Sequence, residues 1–439
     1  MTHEIAEHLE AAAPLLGMFH VACAALNLGA GWYAWRRRQH WGKVIVWLVV
    51  AMLFLVVAGF SLAGRPPQMP GAAKAAIDAA LGPGTLFLGA CALLAALYWG
   101  RTILAAPPVA MGALNAALLW FGLSLADPVF AGVVGKPDHV PIVAMIFLLG
   151  FLTWAATYQA VENDRRLGAG GEPLEKTHAG KALVWPDLVY IELIAVVLAS
   201  ALLIAWSLLL AAPLEEPANP AVTPNPSKAP WYFLGLQELL VYADAWYVGV
   251  VVPCLIIFGL MAIPYLDVTA KGSGYYTIAQ RRRETLVFLF GFLILWVLPI
   301  LVGTFLRGPN WSFYGLYEPR DPDKIVTQVN VTLSEYFWVR ALGRPLPAVD
   351  PAAGAWLRVG QVLWRELPGV VFLVLYLAAV PPLLGRTWLK SARCVMGRCR
   401  YWIMAWLLLL MLTLPLKMIL RWTLNLSYLV SIPEWQFNL

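Results

Sequence analysis

The chain has 439 residues, 61% of them apolar and only 13% charged, with a mean hydropathy of +0.71; soluble domains carry about 25% charged residues, so a soluble enzyme and a disordered tail are excluded. Its net charge of +6 does not point to nucleic acid, because the basic residues cluster in short connections between apolar runs, where membrane orientation accounts for them. Runs of about 20 apolar residues, each able to cross a bilayer as a helix, recur along the whole chain and predict an all-α integral membrane protein.

In chain order the expected spans are approximately 13–35, 43–64, 84–105, 107–126, 139–161, 185–212, 246–266, 284–306, 368–386 and 402–424, ten in all. The third and fourth are separated only by Ala106 and Pro107, and a proline at a helix start favours a break there. The connections after spans 1, 3, 5, 7 and 9 hold 18 of the 31 Lys and Arg residues, including Arg36 to Arg38, Arg281 to Arg283 and Arg398. Of the other 13, seven lie in the long 307–367 segment, and segments of that length obey the positive-inside rule poorly. Both termini are therefore expected on the outer side, which is the periplasm for a bacterial inner-membrane protein. The start of the chain lacks a basic region and a small-residue cleavage site, so no removable leader is expected. Three regions follow: five spans in 1–165, three spans with a Pro-rich outer loop in 166–306, and an outer segment with two spans in 307–439. Cys23, Cys91 and Cys254 are isolated, while Cys394 and Cys399 lie in a basic inner loop without further Cys or His, so no metal site is expected.

The outer loop between spans 6 and 7 carries the chemistry. Its first part is rich in proline, from Pro217 to Pro230, and reads as a stiff connector. The following Trp231-Tyr232-Phe233-Leu234-Gly235-Leu236-Gln237-Glu238-Leu239-Leu240 has apolar residues at helical spacing but too few for a span, as an interfacial helix would. Glu238 lies among apolar neighbours at the membrane edge. If desolvated it suits a group that accepts a proton and passes it to the aqueous side; the alternative is a Glu238 that faces water. Glu192, about two turns into span 6 from the inner side, is a functional candidate by its depth, against snorkelling or pairing with Tyr190.

This segment resembles the outer quinol-site loop of cytochrome bc complexes, where a Pro-rich lead precedes a PEWY motif and an aromatic-rich helix. Upstream, His178-Ala179-Gly180 and Trp185-Pro186-Asp187-Leu188-Val189-Tyr190-Ile191 resemble the start of the first helix of subunit IV in the chloroplast-type cytochrome bf complex. Downstream, Ile263-Pro264-Tyr265-Leu266-Asp267 and Arg281-Arg282-Arg283 resemble the end of its second helix and the next inner loop. The resemblance covers about 130 residues, from roughly 178 to 306. It implies a quinol pocket shaped by Pro230, Trp231, Tyr232, Phe233 and Leu236, and an inner quinone site or proton path near Glu192 and Asp267. One departure matters: aligned on Trp231 and Tyr232, the motif's proline and glutamate fall on Ala229 and Pro230. The usual proton acceptor is thus missing, and Glu238, then Asp244, are the candidate replacements beside Tyr232.

In this family two histidine pairs, each pair on one helix, ligate the b haems. The six histidines here are His3, His8, His20, His40, His139 and His178, and no two share a span at that spacing. A single haem between His20 and His139 is the weaker alternative to helix-helix hydrogen bonding of His20 beside Asn27. The resemblance therefore implies a separate haem-bearing cytochrome b subunit, a Rieske 2Fe-2S protein and a c-type cytochrome as partners, with menaquinol or ubiquinol as substrate. The expected function is a subunit of a quinol:cytochrome c oxidoreductase; the rival is an anchoring subunit that lacks quinol chemistry. Pro433-Glu434-Trp435 repeats three letters of the motif outside any such loop and is read as coincidence.

Overall fold

A computed structural model describes all residues except 1, 38–40, 178–179, 181–182, 210–216, 218, 222, 269–273 and 327–328. The His178-Ala179 pair, His40, the side chain of His3 and the basic residues Arg38, Lys181 and Lys271 thus lie outside the described residues. In chain order the helices are α1 (Thr2–Arg36), α2 (Trp41–Leu62), α3 (Gly71–Ala80), α4 (Pro83–Trp99), α5 (Pro107–Leu125), α6 (Val140–Gly168), α7 (Val184–Leu209), α8 (Trp231–Leu239), α9 (Tyr247–Leu266), α10 (Arg282–Leu306), α11 (Ala355–Arg365), α12 (Leu367–Arg386) and α13 (Arg398–Leu424). Nine of these described helices are long and apolar enough to cross a membrane, all but α3, α4, α8 and α11. The protein is an all-α membrane protein, with only two-stranded pieces of sheet among the described residues.

The third expected span, 84–105, differs from the structure. α4 stops at Trp99 after 17 residues, a rise of about 26 Å, short of the roughly 30 Å hydrocarbon thickness. It meets α3 at 85°, the geometry of a broken span or of a re-entrant pair. The break falls at Gly82-Pro83, because proline is suited to the first position of a new helix. The expected break before Pro107 is present: Ala106 is extended (ψ 127°) and Pro107 and Pro108 open α5.

The described chain divides into two compact units that interleave in sequence. The first comprises 1–68, 97–224 and 272–282. Here α1 and α2 pack antiparallel, with Gly17 under the Leu62 side chain and Gly31 against Trp47, small residues that allow close approach. Asn27 and Asn115 exchange amide hydrogen bonds of 2.6 and 2.9 Å between α1 and α5. α7 has no buried position.

The second unit comprises 69–96, 225–271 and 283–439. Its core gathers Phe87, Leu239, Tyr247, Ile294, Leu414 and Met418 from α4, α8, α9, α10 and α13. Two glycines set the distance between α8 and α10. A Cβ on Gly235 would lie 3.1 Å from Ile300 Cγ1 and 3.2 Å from the Trp296 carbonyl oxygen, and one on Gly303 would lie 3.3 Å from Leu234. α8 therefore rests almost on the backbone of α10, and both chains emerge from this crossing at charged residues, Glu238 and Arg307.

Candidate functional site

α8 buries Leu234, Gly235, Glu238 and Leu239, a stripe at i, i+1, i+4 and i+5, while Trp231, Tyr232 and Phe233 in its first turn are 44–52% exposed. The preceding loop is tied to this helix by one side chain: Gln237 Oε1 accepts from Ala229 N (2.8 Å) and its Nε2 donates to the Ser227 carbonyl (2.9 Å). Lys228 Nζ donates to the Thr304 carbonyl (2.8 Å), which adds α10 to the same clamp. The aromatic turn is thus held in place with its rings outward.

Glu238 is only 2% exposed and meets Arg307, itself 6% exposed, just past the end of α10. Arg307 Nη2 donates to Oε1 (2.6 Å) and Nε to Oε2 (2.8 Å), a fork geometry that only arginine offers a carboxylate. The third guanidinium nitrogen, Nη1, donates to the Trp311 carbonyl (2.9 Å). That carbonyl is aimed by consecutive left-handed residues, Asn310 (φ 57°) and Trp311 (φ 53°), a conformation that costs a tryptophan about 1–3 kcal/mol and persists only where the surroundings impose it. The imposing contact is visible: Asn225 Oδ1 accepts from Asn310 N (2.7 Å) and its Nδ2 donates to Asn310 Oδ1 (2.9 Å). Tyr242 OH donates to Glu238 Oε1 at 3.4 Å, and burial, followed by the charge of Glu238, raises the phenol above its usual range and keeps it protonated.

A cavity of about 30 Å³ adjoins Glu238 and Tyr242, walled by Phe87, Leu298, Pro299, Val302 and Trp422. This is room for one water; ligand-sized sites run to about 300–1,000 Å³, so this cavity does not hold a quinone ring. The alternative in which Glu238 faces water does not describe the structure. The carboxylate is desolvated, the condition on which its proposed role depends, but it carries a partner that sequence reasoning missed. Arg307 lies 69 residues away and had been grouped with the outer charges of the 307–367 segment. The available signal was two opposite charges, each the first ionisable residue beyond an apolar run.

Asp244, the second candidate, is half-buried and accepts from Trp246 N (3.4 Å) and Asn438 Nδ2 (3.1 Å). Its field reaches Lys417, a residue also missed, which is 1% exposed within α13 and whose Nζ has no hydrogen-bond partner among the described residues. The ammonium lies 5.7 Å from the ring centre of Tyr428. A hydropathy window hides such a lysine among leucines.

The remaining candidates lie elsewhere. Leu236 is half-buried and Pro230 exposed, on the same turn as the aromatic residues. Glu192 is exposed on α7 in the first unit, and Asp267 is exposed at the end of α9 in the second. His20 bonds through Nδ1 to the Leu16 carbonyl (2.7 Å), and its Nε2 abuts Gly122, where even a Cβ would come within 2.5 Å. That nitrogen faces a helix backbone and leaves no space for a porphyrin. His139 Nδ1 pairs with the Val133 carbonyl (2.6 Å), and its Nε2 lies 3.6 Å from Asp138. Among the described residues no cluster of three or more His, Cys, Asp or Glu side chains is arranged to hold a metal. Glu434, of the Pro433-Glu434-Trp435 repeat, accepts two hydrogen bonds from Arg365 (2.7 and 2.8 Å), so it clamps the C-terminal hairpin to α11.

No solved structure matches the chain. Residues 217–306 match the family model described as Cytochrome b(C-terminal)/b6/petD. This range runs from the Pro-rich lead through α8 and α9 to the end of α10, and so contains Glu238 and the glycine crossing that positions it. The match supports a cytochrome b-type membrane subunit of a bc-type complex. Segment 217–306 of this multi-pass membrane protein belongs to the cytochrome b C-terminal family.

Proposed function

We propose that the chain serves a bc-type quinol:cytochrome c oxidoreductase of a bacterial inner membrane, and that its 217–240 segment borders the outer, periplasmic quinol site. The observation that carries this reading is a buried carboxylate, Glu238, two helical turns from Trp231 on the family's loop, with a protonated phenol and a water-sized cavity beside it. The exposed turn Pro230 to Phe233, with Leu236, offers one aromatic wall to a quinol ring, and a haem-bearing cytochrome b subunit would supply the facing wall. Quinol oxidation releases two protons and two electrons. The electrons pass one each to a Rieske 2Fe-2S centre and a b haem on partner subunits, and thence to a c-type cytochrome.

In this chain the work is proton handling. Both carboxylate oxygens of Glu238 accept from the Arg307 guanidinium, so taking up a proton means giving up part of that fork. Protonation of Glu238 weakens that fork, and Arg307 keeps its bond to the Trp311 carbonyl while the carboxylic acid turns toward the cavity. The cavity has room for one water against both Glu238 and Tyr242, within the reach a general base needs. Reionisation restores the pair and sends the proton outward. Glu192, exposed on α7, is proposed for an inner quinone site or proton path, and Asp267, after the end of α9, is proposed separately for the inner side.

The same fork also favours a second reading, in which Glu238 and Arg307 pin α8 to α10 in an anchoring subunit without quinol chemistry. Changing Glu238 and Arg307 together to glutamine separates the two. The paired amides keep the bridge but remove the base, so quinol oxidation by the assembled complex falls about 10²–10⁴-fold if Glu238 takes the proton. Wild-type turnover assigns the pair to anchoring.

A further inference from the structure

α11 carries an apolar stripe that the described residues leave largely exposed, with only Trp364 set against another ring, that of Trp338 (5.4 Å between ring centres). Trp356, Leu357, Gly360, Leu363 and Trp364 recur at i, i+1, i+4, i+7 and i+8, one helical face, and its four large side chains are exposed, Trp356 at 91%. The opposite side of the same helix is anchored: Val362 is fully buried, and Arg365 is held by Glu434 and Glu366. The exposed face is therefore a fixed surface of a rigid helix.

We propose that this face lies in the water-hydrocarbon boundary of the protein's own bilayer, with the nearby arginines set at phospholipid headgroup phosphates. Three observations choose lipid over a protein partner. α12 begins at Leu367, directly after Glu366, so chain continuity puts α11 at the membrane surface. The span itself exposes Leu367, Val371, Val374 and Leu375, so exposed apolar surface lies on both sides of the joint at Glu366. Finally, residues 336–365 contain four arginines and one acid, Asp350; Arg365 is taken up by Glu434 and Glu366, while Arg340 and Arg344 are exposed, a charge that complements phosphate. Tryptophan at the ends of the stripe is the residue that favours this boundary. The inference stands independently of the quinol reading, because it needs only that α12 crosses the membrane.

The test uses the full-length protein in phosphatidylcholine/phosphatidylglycerol vesicles, with all five native cysteines replaced by serine and single spin labels introduced as Leu357→Cys, Leu363→Cys and Gln361→Cys. Labels at 357 and 363 should relax with bilayer-dissolved oxygen and be shielded from a water-soluble nickel chelate, whereas the label at 361 should show the smaller oxygen-to-nickel ratio. Strong nickel access at 357 and 363 would mark the stripe as a water-facing surface and overturn the proposal. Low access to both reagents there would mark a protein contact and overturn it equally.

Discussion

Replacing Glu238 by glutamine keeps the size of the side chain and removes its charge. In the native arrangement Arg307 is 6% exposed and makes three hydrogen bonds, two of them to Glu238. The single change leaves a buried guanidinium held only by one carbonyl and one amide oxygen, and breaking a buried pair in this way costs about 3–5 kcal/mol. Arg307→Gln strands the carboxylate and should cost a similar amount. The double change removes both charges, so it should cost less than the sum of the two single changes by roughly 0.5–3 kcal/mol. Denaturant midpoints of the four proteins in one detergent, at fixed pH and salt, measure the cycle. Strictly additive costs would refute a direct pair, and single changes that each cost under about 0.5 kcal/mol, as surface substitutions do, would refute its burial.

Gly235→Ala should destabilise by about 1–3 kcal/mol, since the added Cβ meets Ile300 and the Trp296 carbonyl at 3.1–3.2 Å; an unchanged midpoint contradicts the close crossing of α8 and α10. Lys417→Met should leave the midpoint unchanged or raise it, because a buried ammonium without a hydrogen-bond partner among the described residues is replaced by a side chain of similar length; a large drop would show that the charge is compensated. Arg365 holds the Glu434 carboxyl below its ordinary value of 4.5. A lowered folded-state value means stability that is present above the unfolded-state value and lost as the pH falls through the folded one. The difference in midpoint between wild type and Glu434→Gln should therefore be constant near neutrality and shrink below pH 4.5; a difference that persists in acid assigns the clamp to shape alone.

The membrane class and most spans were legible because a bilayer demands about 20 apolar residues in a row, a constraint that leaves its mark within one window of sequence. α8 was legible for a related reason, since its apolar residues follow helical spacing beside a proline-rich lead. The third span was misjudged because hydropathy does not sense direction: the stretch 84–105 carries a single charge, Arg101, yet the chain turns sharply at Gly82-Pro83 and α4 ends at Trp99, just before Gly100. At the site, the sequence left open whether Glu238 is desolvated or faces water, and both its burial and its pairing with Arg307 depend on a crossing of helices set by Gly235 and Gly303. No local period encodes a contact 69 residues long in sequence. Asn225, read as part of a stiff connector, turned out to brace Asn310 and thereby the Trp311 carbonyl that holds Arg307, again a long-range relation without a local signature.

The central claim is that segment 217–306 works within a bc-type quinol-oxidising assembly. Affinity purification of the tagged chain from its native membranes in mild detergent, followed by a subunit list and reduced-minus-oxidised spectra, tests it most directly. The account predicts co-purified subunits carrying a bis-histidine b-type haem and a Rieske iron–sulfur signal, with quinol-dependent reduction of both. Recovery of the chain alone, or with partners that hold neither centre, would contradict it.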